Sequence, residues 1–348
     1  MVDPVLVGPL RSGKAWVLVG SGPSIEMQYP SWETLAKIAR ETVKMERPGY
    51  DRRPLDTAFL RKDYPQVLEY AYKILGADRL LQQLRTSLTP KQPGRIYKMM
   101  AEWPVPVYLT TNYDDEIQTH LSSAGATFIA YSNSKDDMSL LSSGLTGVIV
   151  KLHGTLRSEA GLILTTTQYR EIDKSEDWTY WRTKMTSIFQ MSRIVVVGHS
   201  LTDNNIRHLL TAAKKGAAVD NPICWIAPDV PEEKVKQYLE KFRIRVIPYD
   251  NRDGQHRNLL RLIENISEFV QPRTTVQIKD SVAKIATSPL GKDAAAPGFY
   301  VFNRLAGLEK FDKSRVDIIL AAMESAIPAL TQLGRFSFKE AFELSGWP

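Results

Sequence analysis

Cysteine is almost absent: Cys224 stands alone in 348 residues. One cysteine excludes an internal disulfide and a four-cysteine zinc site, and it fits a reducing cytosol. Apolar residues reach 43%, yet no run approaches the roughly 18 residues that cross a bilayer. The N-terminus has no basic stretch leading into an apolar one, so no secretory leader is expected. Long basic blocks, internal repeats and low-complexity tracts are also missing. Charged residues make up 24%, an ordinary share that excludes global disorder. A collagen, a secreted mini-protein and a membrane channel are ruled out, and a cytoplasmic location without membrane attachment is expected.

A chain of this length corresponds to roughly two domains. Its formal net charge of +6 is unevenly spread: Arg40 to Met100 holds 13 Lys and Arg against 7 Asp and Glu. Such a local surplus either is a solvated helical face or meets a polyanion or a phosphorylated small molecule. Arg52, Arg53, Arg61 and Lys62 belong to no recognisable nucleic-acid reader motif, so any contact with nucleic acid is expected to be at most indirect.

Continuous β-rich apolar runs recur along the chain at Ala15–Val19, Val105–Leu109, Val148–Leu152, Ile194–Val197 and Ile223–Ile226, with shorter candidates at Phe128–Ala130 and Val246–Pro248. Runs of this kind suit strands buried on both faces. Helical patterns lie between them, at Trp32–Ala39, Asp114–Leu121, Trp178–Phe189 and Leu259–Phe269. Strands alternating with helices predict an α/β fold, a Rossmann-like, mainly parallel sheet with helices on both faces. Residues 49–93, helical in pattern and punctuated by prolines, form an expected cap insertion. The first domain is therefore placed at 1–270. Residues 271–348 are expected to be a mostly helical C-terminal region for oligomer or partner contacts, or simply packing on the sheet. Because the chain ends just after an apolar helical pattern, whether further chain follows is open.

Four polar turns close four of these strands. The first is Gly20-Ser21-Gly22-Pro23-Ser24, whose glycines allow a tight turn and close approach to a pyrophosphate; a plain turn is the alternative. The second is Thr110-Thr111-Asn112-Tyr113-Asp114. Helix capping accounts for part of it, but not for Asn112 and Asp114 together. The third is His153-Gly154, which puts an imidazole on the ligand side of an open sheet. The fourth, Gly198-His199-Ser200-Leu201-Thr202-Asp203, again combines capping residues with groups that can bond ribose hydroxyls. Four such turns on one sheet edge predict a shared crevice. By contrast, Gly8–Lys14 only mimics a P-loop: Ala15 replaces the metal-holding hydroxyl, and the strand comes after the lysine rather than before the glycines.

Taken in order, the four turns resemble the sirtuin family: its glycine-rich NAD loop, its Thr-Gln-Asn-x-Asp motif, its His-Gly pair and its Gly-Thr-Ser-Leu turn. Sirtuin deacylases carry a four-cysteine zinc module between the third and fourth motifs. No cysteine lies there in this chain. The zinc-less pattern, with Tyr29-Pro30-Ser31-Trp32 and Asn112-Tyr113-Asp114, looks like the bacterial sirtuin-like NAD-hydrolase domains of antiphage defence. The resemblance implies an NAD glycohydrolase that takes NAD as substrate without a metal and releases nicotinamide and ADP-ribose. It implies Asn112 and His153 as catalytic residues, the first orienting nicotinamide or water and the second acting as base. Gly20, Ser21, Gly22 and Ser24 are then expected at the pyrophosphate, Asp114 near the nicotinamide ribose, and Gly198, Ser200 and Asp203 on the adenosine side, with Thr110 a further cofactor-binding residue. A homo-oligomer and a sensor or ATPase partner, such as a HerA-type ATPase, are further expectations. An NAD-dependent deacylase or ADP-ribosyltransferase, and a nucleotide-sensing module without turnover, remain the alternatives.

Overall fold

The computed structural model describes residues 3–270 apart from 127, 141–145, 202, 217–222, 253 and 255. The expectation for 271–348 lies outside the described residues. In chain order the elements begin α1 (Pro4–Arg11), β1 (Ala15–Val19), α2 (Gly22–Glu26), α3 (Trp32–Glu46), α4 (Arg53–Leu60), α5 (Tyr64–Leu75), α6 (Ala77–Ser87), α7 (Arg95–Glu102) and β2 (Val107–Thr110). There follow α8 (Glu116–Ser123), β3 (Ile129–Tyr131), α9 (Lys135–Leu140), β4 (Val148–Lys151), α10 (Thr166–Lys174), α11 (Thr179–Met191) and β5 (Arg193–Val197). Then come α12 (Asn204–Gly216), β6 (Ile223–Pro228), α13 (Glu232–Phe242), β7 (Ile244–Tyr249) and α14 (Arg257–Phe269).

The strands form one seven-stranded sheet in the order β3-β4-β2-β1-β5-β6-β7, and every pairing is parallel. This is the Rossmann-like α/β class expected from the alternating pattern. β2 and β4 are buried at every position, which explains why they read as unbroken apolar runs rather than alternating ones. Leu18, Leu109, Val150 and Val196 pack with Trp181, Met185 and Phe189 of α11 and with Ile206, Leu209 and Leu210 of α12. Their strand neighbours Val17, Val19, Val195 and Val197, equally buried, point to the opposite face, where α1 packs on β1 and α14 on β7.

Element ends shift from the sequence reading for identifiable reasons. β2 starts only after Pro106, which cannot donate to the ladder. The helix after β2 begins at Glu116 instead of Asp114, because the Asp114 carboxylate accepts the Glu116 N–H at 3.2 Å and keeps 111–115 as a turn. The P-loop mimic resolves as the end of α1, capped at its start by Asp3, plus a turn at Gly13. α13 buries none of its residues, so it carried little apolar signal.

The cap insertion is helical, as its pattern indicated. α4, α5 and α6 share a second core with α3, built from Leu35, Val43, Leu55, Val67, Leu68, Leu80 and Leu84. Tyr113, Leu156 and Leu164 join this core, so the cap is anchored to the loops after β2 and β4. From β1 the chain moves outward to β2 and the edge strand β3, fills the place between them with β4, and then crosses to β5 on β1's other side. That reversal creates a crevice at the carboxyl ends of the strands.

Candidate functional site

A cleft of about 700 Å³ opens at this edge. The segments that follow β1, β2, β4 and β5 contribute Ser21 and, from α2, Ser24, then Asn112 and Asp114, His153, and Ser200 and Asp203 to its lining. Residues separated by almost two hundred positions are therefore brought together. Gly20, Gly22, Thr110 and Gly198 lie behind the lining.

These four residues build the scaffold. A Cβ on Gly20 would sit 2.5 Å from the His199 Cα, and one on Gly198 would sit 2.4 Å from the Pro23 Cδ. The turns after β1 and β5 can interlock this closely only without side chains. The N–H groups of Gly20 and Gly22 donate to Val197 O at 2.9 Å and Gly198 O at 2.8 Å. Thr110, fully buried, donates its hydroxyl to Val19 O at 2.9 Å and accepts the Asn112 N–H at 3.0 Å.

Asn112 is held from several sides. Its Nδ2 lies 2.9 Å from Gly20 O and 3.1 Å from both Ser24 Oγ and Tyr97 OH, three acceptors for two hydrogens. Every one of these bonds uses the amide nitrogen, which leaves the amide oxygen as the acceptor a ligand or water can meet. Ser24 Oγ in turn donates to Asp114 Oδ2 at 2.8 Å and lies 2.7 Å from Tyr97 OH. Burial pushes the Asp114 carboxyl above its ordinary range. Beneath the turn, the nearly buried Lys151 donates to Asp114 O at 2.8 Å and to Asp115 Oδ1 at 2.6 Å.

His153 is only 3% exposed, yet neither ring nitrogen has a hydrogen-bond partner. Nε2 stands 3.3 Å from Asp203 Oδ2, an ion-pair distance without hydrogen-bond alignment. The same oxygen accepts the Tyr169 hydroxyl at 3.0 Å, while Oδ1 accepts the Ile206 N–H at the start of α12. Burial alone would raise the Asp203 carboxyl; the neighbouring His153, the Ile206 N–H and His199 instead hold it well below the usual range. His199, beside the same carboxylate, is pushed down to about 4 by burial. Aromatic rings flank His153: Tyr169 edge-on at 5.5 Å and Tyr113 at 6.5 Å.

Sequence reasoning missed Tyr97, Lys151 and most of α10 as parts of the site. A signal for α10 was available: Thr165 and Gln168 form a capping box, recognisable as a Thr followed three residues later by Gln. Nothing in the sequence marked the role of Lys151, the one charged residue within the run Val148–Leu152.

A parallel sheet whose strand-end turns converge on one cleft defines a Rossmann-like α/β protein. Within it, residues 106–247 match the SIR2-like domain family. It is also similar to a curated protein named NAD(+) hydrolase ThsA from Acinetobacter baumannii (strain 532279), at 24% identity over 61% of this chain and 41% of that one. A protein of the same name from Cytobacillus dafuensis is 20% identical over 58% of this chain and 38% of its own length. That from Enterococcus faecium is 20% identical over 58% and 40%. The chain thus spans about two fifths of the length of these relatives. Among the described residues no helix is long and apolar enough to cross a membrane, and no cluster of three potential metal ligands occurs.

Proposed function

We propose that this cleft hydrolyses the bond between nicotinamide and ribose in NAD⁺. Water attacks the anomeric carbon, the carbon–nitrogen bond breaks, and nicotinamide leaves neutral with the bonding electron pair. The products are ADP-ribose, nicotinamide and one proton. A neutral leaving group needs no general acid, and the transition state has oxocarbenium character, as in glycoside hydrolysis.

The observation that carries the reading is a buried imidazole with two unpartnered nitrogens, beside an ionised carboxylate, in the same cleft as the Asn112 carboxamide. Buried polar atoms without partners are rare and call for a ligand or water. With Nε2 turned to Asp203, a neutral ring that carries its proton on Nε2 keeps Nδ1 as the base. It takes the proton from the attacking water or from a ribose hydroxyl, and Asp203 stabilises the imidazolium that forms. The Asn112 oxygen orients the water or the nicotinamide end. Asp114 and Ser24 hold Asn112 in place and border the ribose.

The same reading extends to an effector of antiphage defence that depletes NAD⁺ when triggered, working as a homo-oligomer with a sensor or ATPase partner. Its support is the zinc-less motif set and the similarity to proteins named NAD(+) hydrolase.

Purified protein, incubated with NAD⁺ alone and with the products of neighbouring genes, is expected to release nicotinamide and ADP-ribose without any acylated peptide. His153→Ala and Asn112→Ala should each remain folded and lose about 100-fold or more of turnover. Full-rate product formation by both variants would falsify the mechanism. Nicotinamide release that requires acylated peptide would favour the deacylase reading.

A further inference from the structure

One wall of the cleft is a single face of α10. Thr166, Tyr169, Arg170, Asp173 and Lys174 all line the cavity, at spacings that place them on one side of a helix. A stripe turned inward is ordinarily apolar, but Ile172, which packs away in the sheet core, is the buried residue of this helix, and the stripe facing the cleft is polar. The wall is also firmly held. Its capping box fixes the first turn, and the Thr167 N–H and hydroxyl both bond the Glu69 carboxylate of α5 at 3.1 Å. A rigid polar face turned toward a concavity is built for recognition.

Two further observations say what it recognises. Thr166 Oγ1 is buried without a hydrogen-bond partner, so the wall already contains a hydroxyl in want of a ligand. The Lys and Arg side chains that line the cleft are Lys62, Arg170 and Lys174. Their acidic neighbours have other tasks: Asp173 faces His208 at 3.6 Å, and Asp63 caps α5 through the Gln66 N–H. The glycine turn after β1, where a dinucleotide's charge would be sought first, spends the N–H groups of Gly20 and Gly22 on Val197 and Gly198.

We propose that the polar face of α10, with Lys62 from the turn between α4 and α5, binds the pyrophosphate of the dinucleotide. Arg170 and Lys174 neutralise the phosphate oxygens, and the Thr166 hydroxyl donates to one of the phosphate or ribose oxygens. This rests on the NAD⁺ reading above, and it adds helix side chains to the turn after β1, whose Ser21 and Ser24 also line the cleft. Tyr169 fixes the scale, since it touches the His153–Asp203 pair. Arg170 and Lys174 lie one and five residues on, about 1.5 Å and 7.5 Å along the axis, so the phosphates fall within about one and a half helical turns of the bond being cut.

The double variant Arg170→Gln/Lys174→Gln tests this. The KM for NAD⁺ should rise about tenfold or more while kcat stays within about twofold, and the KM of the wild type should climb more steeply with salt than that of the variant. ADP-ribose binding, measured by calorimetry, should weaken by the same factor, and Thr166→Ala should weaken it by about threefold to tenfold. Unchanged ADP-ribose affinity in the double variant overturns the inference, as does a wild type that fails to bind ADP-ribose at all. Wild type that binds ADP-ribose through these residues yet releases no nicotinamide would leave the phosphate wall standing and remove the hydrolase reading instead.

Discussion

Nε2 of His153 and Oδ2 of Asp203 stand 3.3 Å apart across the cleft wall, and the Tyr169 hydroxyl holds the same carboxylate oxygen from the other side. From sequence alone Asp203 looked like a ligand for adenosine ribose. In the mechanism proposed above, its position beside the imidazole serves to orient the base. Asp203→Asn keeps the shape and removes the charge, so kcat should fall roughly 10–100-fold with the KM for NAD⁺ nearly unchanged. A variant whose KM rises while kcat holds would return Asp203 to the ribose. Steady-state nicotinamide release separates the two.

His199 supplies a second test, through stability rather than turnover. Burial holds its imidazole down to about 4, against 6.5 in an exposed ring, with Asp203 raising it and His153 lowering it. Between those values the unfolded chain binds a proton that the folded chain does not. Stability therefore falls as pH drops from about 6.5 to 4, by about 3 kcal/mol once fully expressed. Asp203 acts in the same direction further down: its lowered carboxyl stabilises the fold above the ordinary carboxylate range and loses that contribution on acidification. Urea denaturation across pH 4 to 8 should show a shallower decline for His199→Gln than for the wild type. Parallel curves would mean that His199 titrates as if exposed.

Much of this site was legible because strands buried on both faces leave a simple trace: an unbroken apolar run that stops at a polar turn. The ends of β1, β2, β4 and β5 were found in that way, and with them Ser24, Asn112, Asp114 and His153. The sequence placed Thr110 in the polar turn after β2, but could not tell that its hydroxyl braces Asn112. Tyr97 and Lys151 stayed hidden because their roles depend on partners 15 to 73 positions away. The glycines were legible as a turn, whereas their reason is the backbone of residues 198 and 199, which only the folded sheet brings near.

That close approach makes Gly20 a sharp stability probe. An added Cβ would meet the His199 Cα at 2.5 Å and the Gly198 carbonyl at 2.6 Å, both backbone atoms that cannot swing aside. Gly20→Ala should cost about 3 kcal/mol or more and appear as a lowered denaturation midpoint or as insoluble protein. A variant as stable as the wild type would show that the β1 and β5 turns can part at no cost. The nicotinamide assay on whatever protein remains folded should then reveal whether Asn112, bonded to Gly20 O, survives the displacement.

Lys151 offers the cleanest test of how the Asn112 turn is held. Its side chain is 7% exposed and reaches under the turn to the carbonyls of Tyr113 and Asp114 and the carboxylate of Asp115. Lys151→Met keeps the length and apolar stem but leaves those two carbonyls without their ammonium donor. Asp115 retains Arg157 at 2.8 Å and is partly solvated, so the loss is smaller than for an isolated buried pair, about 2–3 kcal/mol. Because Lys151 lies outside the cleft lining, its effect on turnover should come through the position of Asn112, with kcat falling about tenfold or more. Urea midpoints and nicotinamide release on the same preparation would measure both. Loss of stability with full activity would show that the turn keeps its catalytic shape unaided, and Tyr97, Ser24 and Gly20 would then be sufficient to hold the carboxamide.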